Sequence, residues 1–250
     1  YLHDRQGFEI GPVTKGDFDV TALYGFDPVR KFFYYQAAAE SPMRREVYYI
    51  SADGKKKGKL STMQGTNSAL FSKGFNYYLN FFSGIDRPTL VTIHDWKGKQ
   101  TGVIEGNEAL IKLLTGYAIL RKEFFSFRIP DGTMLNGWIL KPPGFNPAKK
   151  YPVVITQYSG PDSQEVTDKW DLSWNEFLAQ EGFLVVCTDP RGTGARGEDF
   201  RKIVYLQLGR YESDDMVETA RYLAGLPYVD SRNIGIWGWS YGGFMAVMAM

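Results

Sequence analysis

The chain has 250 residues, a formal net charge of +1 and 44% hydrophobic residues. It can therefore build apolar cores, but it carries no basic field for nucleic acid, and no apolar stretch is long enough for a helical membrane span. Its one cysteine, Cys187, allows no internal disulfide and no thiolate metal cage, and no metal or organic cofactor is expected. The chain opens at Tyr1 within a β-like pattern and closes at Met250 within a helical one, so an internal section of a longer protein is expected.

The first 106 residues alternate aromatic and polar positions between turn signals. Residues 32–36 and 46–50 read as strands, the second running into the turn Asp53-Gly54-Lys55. The layout returns at residues 77–82 and 89–93, before the turn Lys97-Gly98-Lys99. Gly54 and Gly98 stand 44 residues apart, and Gly7, in His3-Asp4-Arg5-Gln6-Gly7, stands 47 before Gly54. A four-stranded unit recurring every ~40–50 residues is the pattern of a β-propeller blade. The tail of one blade and two further blades are expected, with the hairpins of a β-sandwich as the alternative. A propeller closes with about four to eight blades, so others are expected ahead of Tyr1.

Residues 108–114 carry a short helical pattern with Leu110, Leu113 and Leu114 apolar. Residues 123–129 and 135–140 read as strands joined by the hairpin signal Pro130-Asp131-Gly132. Pro142-Pro143-Gly144 and Asn146-Pro147 mark a loop. From Tyr151 the texture becomes strand, helix, strand, helix, strand. The apolar run 152–156 suits a strand covered on both faces. Trp170, Trp174, Phe177 and Leu178 sit at helical spacing, and residues 183–187 form a second apolar strand. Met216, Val217, Ala220, Leu223 and Ala224 trace a helical stripe, with Asp214 and Asp215 near its start, where carboxylates suit the helix dipole. Residues 233–237 are the third strand. This alternation predicts a parallel sheet in an α/β layer.

Gly238-Trp239-Ser240-Tyr241-Gly242-Gly243 follows that third strand directly. Gly-x-Ser-x-Gly between a strand and a helix is the nucleophile elbow, a sharp turn that exposes the serine. The helix after it, with Phe244, Met245, Val247 and Met248, aims its N-terminus at Ser240 and favours the negative charge of acyl transfer. A glycine-rich structural turn is the competing reading; the strand-before, helix-after context favours the nucleophile. A serine needs a base, and in this fold the order is Ser, then Asp or Glu, then His. Neither His3 nor His94 suits. His94 ends a strand and reads as a half-buried structural histidine, and His3 holds the matching place in the preceding repeat. The acid and the base are expected beyond Met250.

Tyr158 opens Tyr158-Ser159-Gly160-Pro161 just past the first parallel strand, where ligand and catalytic loops gather. Its hydroxyl could face an oxyanion beside the backbone N–H of Tyr241; from position alone, a packing tyrosine is an equal reading. The loop Asp189-Pro190-Arg191-Gly192-Thr193-Gly194 has glycines but no P-loop lysine. It reads as a turn at the sheet's edge, with Arg191 as an ion-pairing or backbone-bonding residue.

Together the segments at 158–161, 189–194 and 237–243 resemble the dipeptidyl peptidase IV branch of the prolyl oligopeptidase family, as do Glu123-Phe124-Phe125, Leu135-Asn136-Gly137-Trp138, Leu208-Gly209 and Tyr228-Val229-Asp230. The resemblance is loose over the propeller-like part and tight from about Glu123. It implies a mixed fold: the last blades of an all-β propeller at residues 1–115, followed by the first half of an α/β-hydrolase domain with a parallel sheet at 116–250. It implies a serine exopeptidase acting on peptides with a free N-terminus and releasing Xaa-Pro or Xaa-Ala dipeptides or tripeptides. Ser240 would be the nucleophile, with Tyr158 and the Tyr241 N–H forming the oxyanion hole and the Tyr241 ring lining the pocket for the residue before the scissile bond. A homodimer is implied, as is an extracytoplasmic setting such as a bacterial periplasm, with the cytoplasm as the alternative. The glutamates that hold a substrate's amino terminus are expected before Tyr1. Met216 departs from the family's Gln after the Asp, a change expected to affect helix packing. An acylaminoacyl peptidase or esterase of the same fold, and a non-catalytic propeller binding module, are the competing functions.

Overall fold

Period-two alternation of aromatic and polar residues is satisfied by antiparallel pairing, one face against a core and one toward solvent. The computed structural model describes residues 1–250. Its contacts divide the chain into a first unit, Tyr1–Ala109 with Asp168–Trp170, and a second, Leu110–Thr167 with Asp171–Met250. In the first unit β1 (Leu2–His3) and β2 (Glu9–Gly11) form a hairpin. A four-stranded sheet follows in sequence order, made of β3 (Val20–Asp27), β4 (Phe32–Ala37), β5 (Glu46–Ser51) and β6 (Lys57–Lys59). A second contains β7 (Thr66–Phe71), β8 (Tyr77–Gly84), β9 (Arg87–Asp95) and β10 (Gln100–Glu105). Both are antiparallel throughout. The strands expected at 32–36, 46–50, 77–82 and 89–93 are β4, β5, β8 and β9, each slightly longer than its sequence signal.

Gly7, Gly54 and Gly98 close equivalent turns. Their φ angles are 89°, 71° and 89°, left-handed backbone that glycine adopts without a Cβ penalty. Each amide donates to the carbonyl three residues back, on Asp4, Ser51 and Asp95. Asp4 Oδ1 accepts from the Gln6 and Phe8 amides, and Asp95 Oδ1 from those of Lys97 and Lys99. At the middle turn Ser51 and Asp53 share that task. The spacing seen in the sequence is thus a repeat of turn chemistry.

Tyr34, Val47, Leu60 and Tyr78 form an apolar core of the first unit. Tyr34 stacks on Phe75 at 5.3 Å, and Tyr78 on His94 at 5.0 Å. His94 is buried more deeply than expected, and both ring nitrogens are engaged, Nε2 with Thr92 Oγ1 (2.8 Å) and Nδ1 with the Gly98 carbonyl (3.0 Å). It is a structural histidine.

After α1 (Glu108–Leu114), the second unit builds one five-stranded sheet. Its strands are β11 (Glu123–Arg128), β12 (Met134–Leu140), β13 (Tyr151–Thr156), β14 (Leu184–Asp189) and β15 (Val229–Trp237), in the order β11-β12-β14-β13-β15. The parallel part expected from the alternation after Tyr151 is present in β14, β13 and β15, and the sheet as a whole is mixed because the preceding hairpin extends it. β13 pairs parallel with β14 and β15, but the 123–140 hairpin joins antiparallel, with Trp138 opposite Cys187 and Ile139 opposite Val186. An apolar strand such as β14 accepts either direction of neighbour, so periodicity could not decide this. β14 is buried at every position, and the core it shares includes Ile139, Val153, Ile155, Val186, Met216 and Leu223.

The helices α2 (Trp174–Gln180), α3 (Glu198–Lys202), α4 (Arg210–Ala224) and α5 (Tyr241–Met248) complete the unit. Trp170, expected on the same stripe as Trp174, lies outside α2, because Ser173 and Glu176 form a capping box that starts the helix at Trp174. Asp214 and Asp215 lie one turn further into α4 than expected. The helix begins at Arg210, and the Gly209 amide donates to Glu212 Oε2 at 3.1 Å. Asp215 is instead the buried partner of Arg191, which reaches its two oxygens with Nη2 (2.6 Å), Nε and the backbone N–H (2.7 Å), while Nη1 bonds Asp131 (2.7 Å).

Two outcomes follow for stability. Removing one partner of a buried ion pair leaves the other uncompensated, so Asp215→Ala is expected to cost about 3–5 kcal/mol of unfolding free energy in a denaturant titration, and Asp131→Ala, at a half-exposed carboxylate, far less. In the first unit Glu46 is 1% exposed, with neither carboxylate oxygen hydrogen-bonded. Burial first, then the Glu40 carboxylate, push its pKa up to about 7, against the pull of Lys59 and Arg44. A folded-state pKa above the unfolded one contributes stability that is full at low pH and lost as pH rises through about 7. Glu46→Gln is therefore expected to raise the melting temperature at about pH 8 and to leave it near wild type at about pH 4. Equal shifts at both pH values would contradict this.

Candidate active site

β15 runs straight into α5 through Gly238-Trp239-Ser240, and Ser240 sits at the hinge. Its φ of 54° and ψ of −117° place it outside the ordinary regions for a side-chain-bearing residue, a conformation costing about 1–3 kcal/mol that persists only when its surroundings over-determine it. The surroundings are backbone. A Cβ on Gly242 would lie 2.4 Å from the Gln157 carbonyl oxygen, and one on Gly238 would lie 2.6 Å from that oxygen and 2.5 Å from the Gly242 carbonyl. The amides of Gly243 and Phe244 bond back to the Ser240 carbonyl at 2.9 and 3.2 Å, closing the first helical turn. Ser240 itself is left exposed at the helix N-terminus.

Gln157, just past β13, holds the neighbouring loop to this turn. Its amide donates to the Trp237 carbonyl (3.2 Å), and its side-chain Nε2 donates to the Gly242 carbonyl (2.7 Å). Its Oε1 accepts from Ser159 Oγ (2.7 Å), and Ser159 turns the chain with a φ of 60°. Tyr158 is thereby set beside the elbow: its Cα would lie 3.2 Å from a Cβ on Gly242, and its ring centroid is 6.3 Å from that of Tyr241. Ser240, Tyr158 and Tyr241 thus meet at the carboxyl ends of two adjacent parallel strands, β13 and β15, the edge where open α/β sheets gather ligand loops.

Tyr241 is anchored at its far end. Its hydroxyl donates to Glu212 Oε1 at 2.7 Å, and its ring meets Phe244 edge-on at 5.5 Å. Burial, then the bond to Glu212 and its charge, push the phenol well above its usual value, so it stays protonated and donates. The Asp189–Gly194 loop turns inward. Asp189 is 4% exposed and accepts from the Glu165 and Val166 amides, both at 2.9 Å; burial lifts its pKa to about 7. Its role is to tie two loops together.

Gln157 and Glu212 are the residues that sequence reasoning missed. The signal for Glu212 was present, since a Gly-x-x-Glu run before an apolar stripe has the spacing of a helix-capping pair. Nothing local marks Gln157, because its partner is 85 residues away.

The backbone contact at Gly242 is testable by one methyl group. Gly242→Ala forces a Cβ into the Gln157 carbonyl and is expected to lower unfolding free energy by about 1–3 kcal/mol. Gly144→Ala, with a left-handed φ of 65° but nothing within 4 Å, controls for backbone strain alone.

Two family models match. That of the prolyl oligopeptidase family covers residues 170–250, and that of the dipeptidyl peptidase IV N-terminal region covers residues 1–89. Dipeptidyl peptidase 4 of Arthroderma otae is 35% identical over 258 residues, and that of Trichophyton equinum 34% over 258; each alignment takes in 100% of this chain and 33% of the relative. The crystal structure of Porphyromonas gingivalis dipeptidyl peptidase 4 superposes with a TM-score of 0.95 at 47% identity, over 100% of this chain and 35% of that one. The chain spans about a third of the length of the relatives it matches. Over that span, the chain belongs to the dipeptidyl peptidase IV branch of the prolyl oligopeptidase family.

Proposed function

We propose that this chain carries the nucleophile of a serine exopeptidase that releases dipeptides from the free N-terminus of peptides, with proline or alanine before the cleaved bond. The observation that carries the reading is the strained, exposed Ser240 at the N-terminus of α5, next in sequence to Tyr241, whose ring centroid is 6.3 Å from that of Tyr158. Residues 1–115 are blades of a β-propeller in this reading, and residues 116–250 the first part of an α/β-hydrolase domain.

Ser240 Oγ attacks the scissile carbonyl carbon, and its proton passes to a histidine base contributed by the remainder of the protein. The carbonyl oxygen becomes an oxyanion, which the Tyr241 N–H and the Tyr158 hydroxyl stabilise, with the α5 dipole adding to the field. Collapse expels the amine of the leaving peptide, which takes up the proton and leaves an acyl-Ser240 ester. Water then hydrolyses that ester by the same steps in reverse order of roles. The Tyr241 ring forms a flat wall for the residue before the scissile bond, a surface suited to a proline ring.

In the full-length protein, a fluorophosphonate probe is expected to label Ser240, located by mass spectrometry, and Ser240→Ala is expected to abolish both labelling and cleavage of an Ala-Pro reporter. Tyr158→Phe is expected to retain binding while lowering kcat by about 10²–10³. Cleavage that survives Ser240→Ala would sink the reading. Turnover of acyl esters without turnover of free-amino peptides would favour an esterase or acylaminoacyl peptidase, and absence of labelling in folded protein a binding module.

A further inference from the structure

The geometry points to Glu212 as a positioning residue that sets specificity, acting through the Tyr241 hydroxyl. This rests on the reading above, in which the Tyr241 ring walls the pocket for the residue before the scissile bond. Glu212 is 0% exposed, and a buried carboxylate is costly unless its oxygens are used. Capping α4 uses only one of them, since Oε2 accepts the Gly209 amide at 3.1 Å. The other, Oε1, takes the Tyr241 hydroxyl in the shorter bond, 2.7 Å, which is of the strong, charge-assisted kind when the acceptor is ionised.

A tyrosine ring turns about two side-chain torsions, and a wall made from it is only as sharp as the restraint at its far end. Here the restraint is closed on itself. Glu212 holds the phenol; Gly209, bonded to Glu212, runs close beside Phe244, leaving no room for a side chain, since a Cβ there would come within 2.9 Å of the ring; and Phe244 meets the Tyr241 ring edge-on. With the ring plane fixed, the pocket keeps one width, fitting a proline or alanine and excluding a bulkier branched side chain. Without the anchor the ring is free to swing and the bulkier residue gains room.

The test compares kcat/KM for Ala-Pro and Ala-Leu p-nitroanilides in the full-length protein and its Glu212→Ala, Glu212→Gln, Tyr241→Phe and Glu212→Ala/Tyr241→Phe variants. Tyr241→Phe and Glu212→Ala are each expected to lower the Pro-over-Leu ratio by about tenfold, the scale on which pocket fit discriminates, chiefly through KM. The double variant is expected to match Tyr241→Phe, and Glu212→Gln, which can still hydrogen-bond the phenol, to recover most of the ratio. Loss of both activities in equal proportion would mean that Glu212 only stabilises the fold, and would overturn the assignment. So would a shift caused by Glu212→Ala that persists when Tyr241→Phe is already present. Should Glu212→Ala fail to fold, Tyr241→Phe decides alone, because it leaves the α4 cap intact: an unchanged ratio overturns the assignment. Wild-type protein that cleaves neither reporter overturns the peptidase reading itself, whereas an active wild type with an unmoved ratio overturns only the role of Glu212.

Discussion

One backbone oxygen governs the second unit's site. The Gln157 carbonyl occupies the space in which a side chain on Gly238 or Gly242 would have to stand. This approach is possible because β13 and β15 are direct parallel neighbours, with Thr156 in register with Trp237, so their carboxyl ends emerge side by side. The turn after β15 must then pass under the loop after β13 with no side chain between them. Ser240 accommodates the reversal with an unfavourable backbone conformation. The cost is borne because relaxing it would pull α5 off the Gln157 carbonyl and break the Gln157 Nε2 bond to Gly242. Two glycines, one strained serine and one glutamine are a single geometric solution, and altering any one of them alters the rest.

The first unit is organised differently. Its sheets are built from recurring hairpins whose turns reuse one device: a left-handed glycine and an upstream oxygen gathering the following amides. Aromatic layers such as Tyr34 on Phe75 and Tyr78 on His94 then fill the space. Large rings bury much area with few torsions to fix, so a core of this kind tolerates an imperfection such as the unpartnered Glu46 carboxylate. Local rules of this kind repeat along the chain, and β4, β5, β8 and β9 were therefore legible.

What was readable and what was not divides along the same line. The four aromatic strands, the 123–140 hairpin, the apolar strands of the second unit and the elbow motif all express periods or turn chemistry contained within a short stretch of chain. The mixed direction of the sheet was not readable, because the residues that pair β12 with β14 are as apolar as those that would pair a parallel neighbour. The start of α2 was missed because Trp170 continued the hydrophobic period, and only the Ser173–Glu176 cap outranks it. Asp215 was misread for a similar reason. Its position near an acidic helix start suggested a dipole partner, whereas its partner, Arg191, is 24 residues away. Ser240, Tyr158 and Tyr241 were each named from sequence, but Gln157 and Glu212, which fix their surroundings, were not.

The buried polar residues around the site share a physical trait. Gln157, Asp189, Asp215 and Glu212 are buried polar side chains that hold segments 23 to 85 residues apart, and each does so with its oxygens or nitrogen placed on backbone groups or on a single partner. Apolar burial specifies which faces meet, but it is non-directional and leaves loops free to shift by fractions of an ångström. Hydrogen bonds in a low-dielectric interior are directional, and expensive when left unmade. Placing them at the carboxyl ends of the strands confines precision to the loops that need it, while the strands behind are held by apolar packing, with Met216 of α4 buried in the same core. The second unit therefore separates the two tasks: hydrophobic residues decide that the layers form, and a few buried polar ones decide where the chemistry-bearing side chains stand.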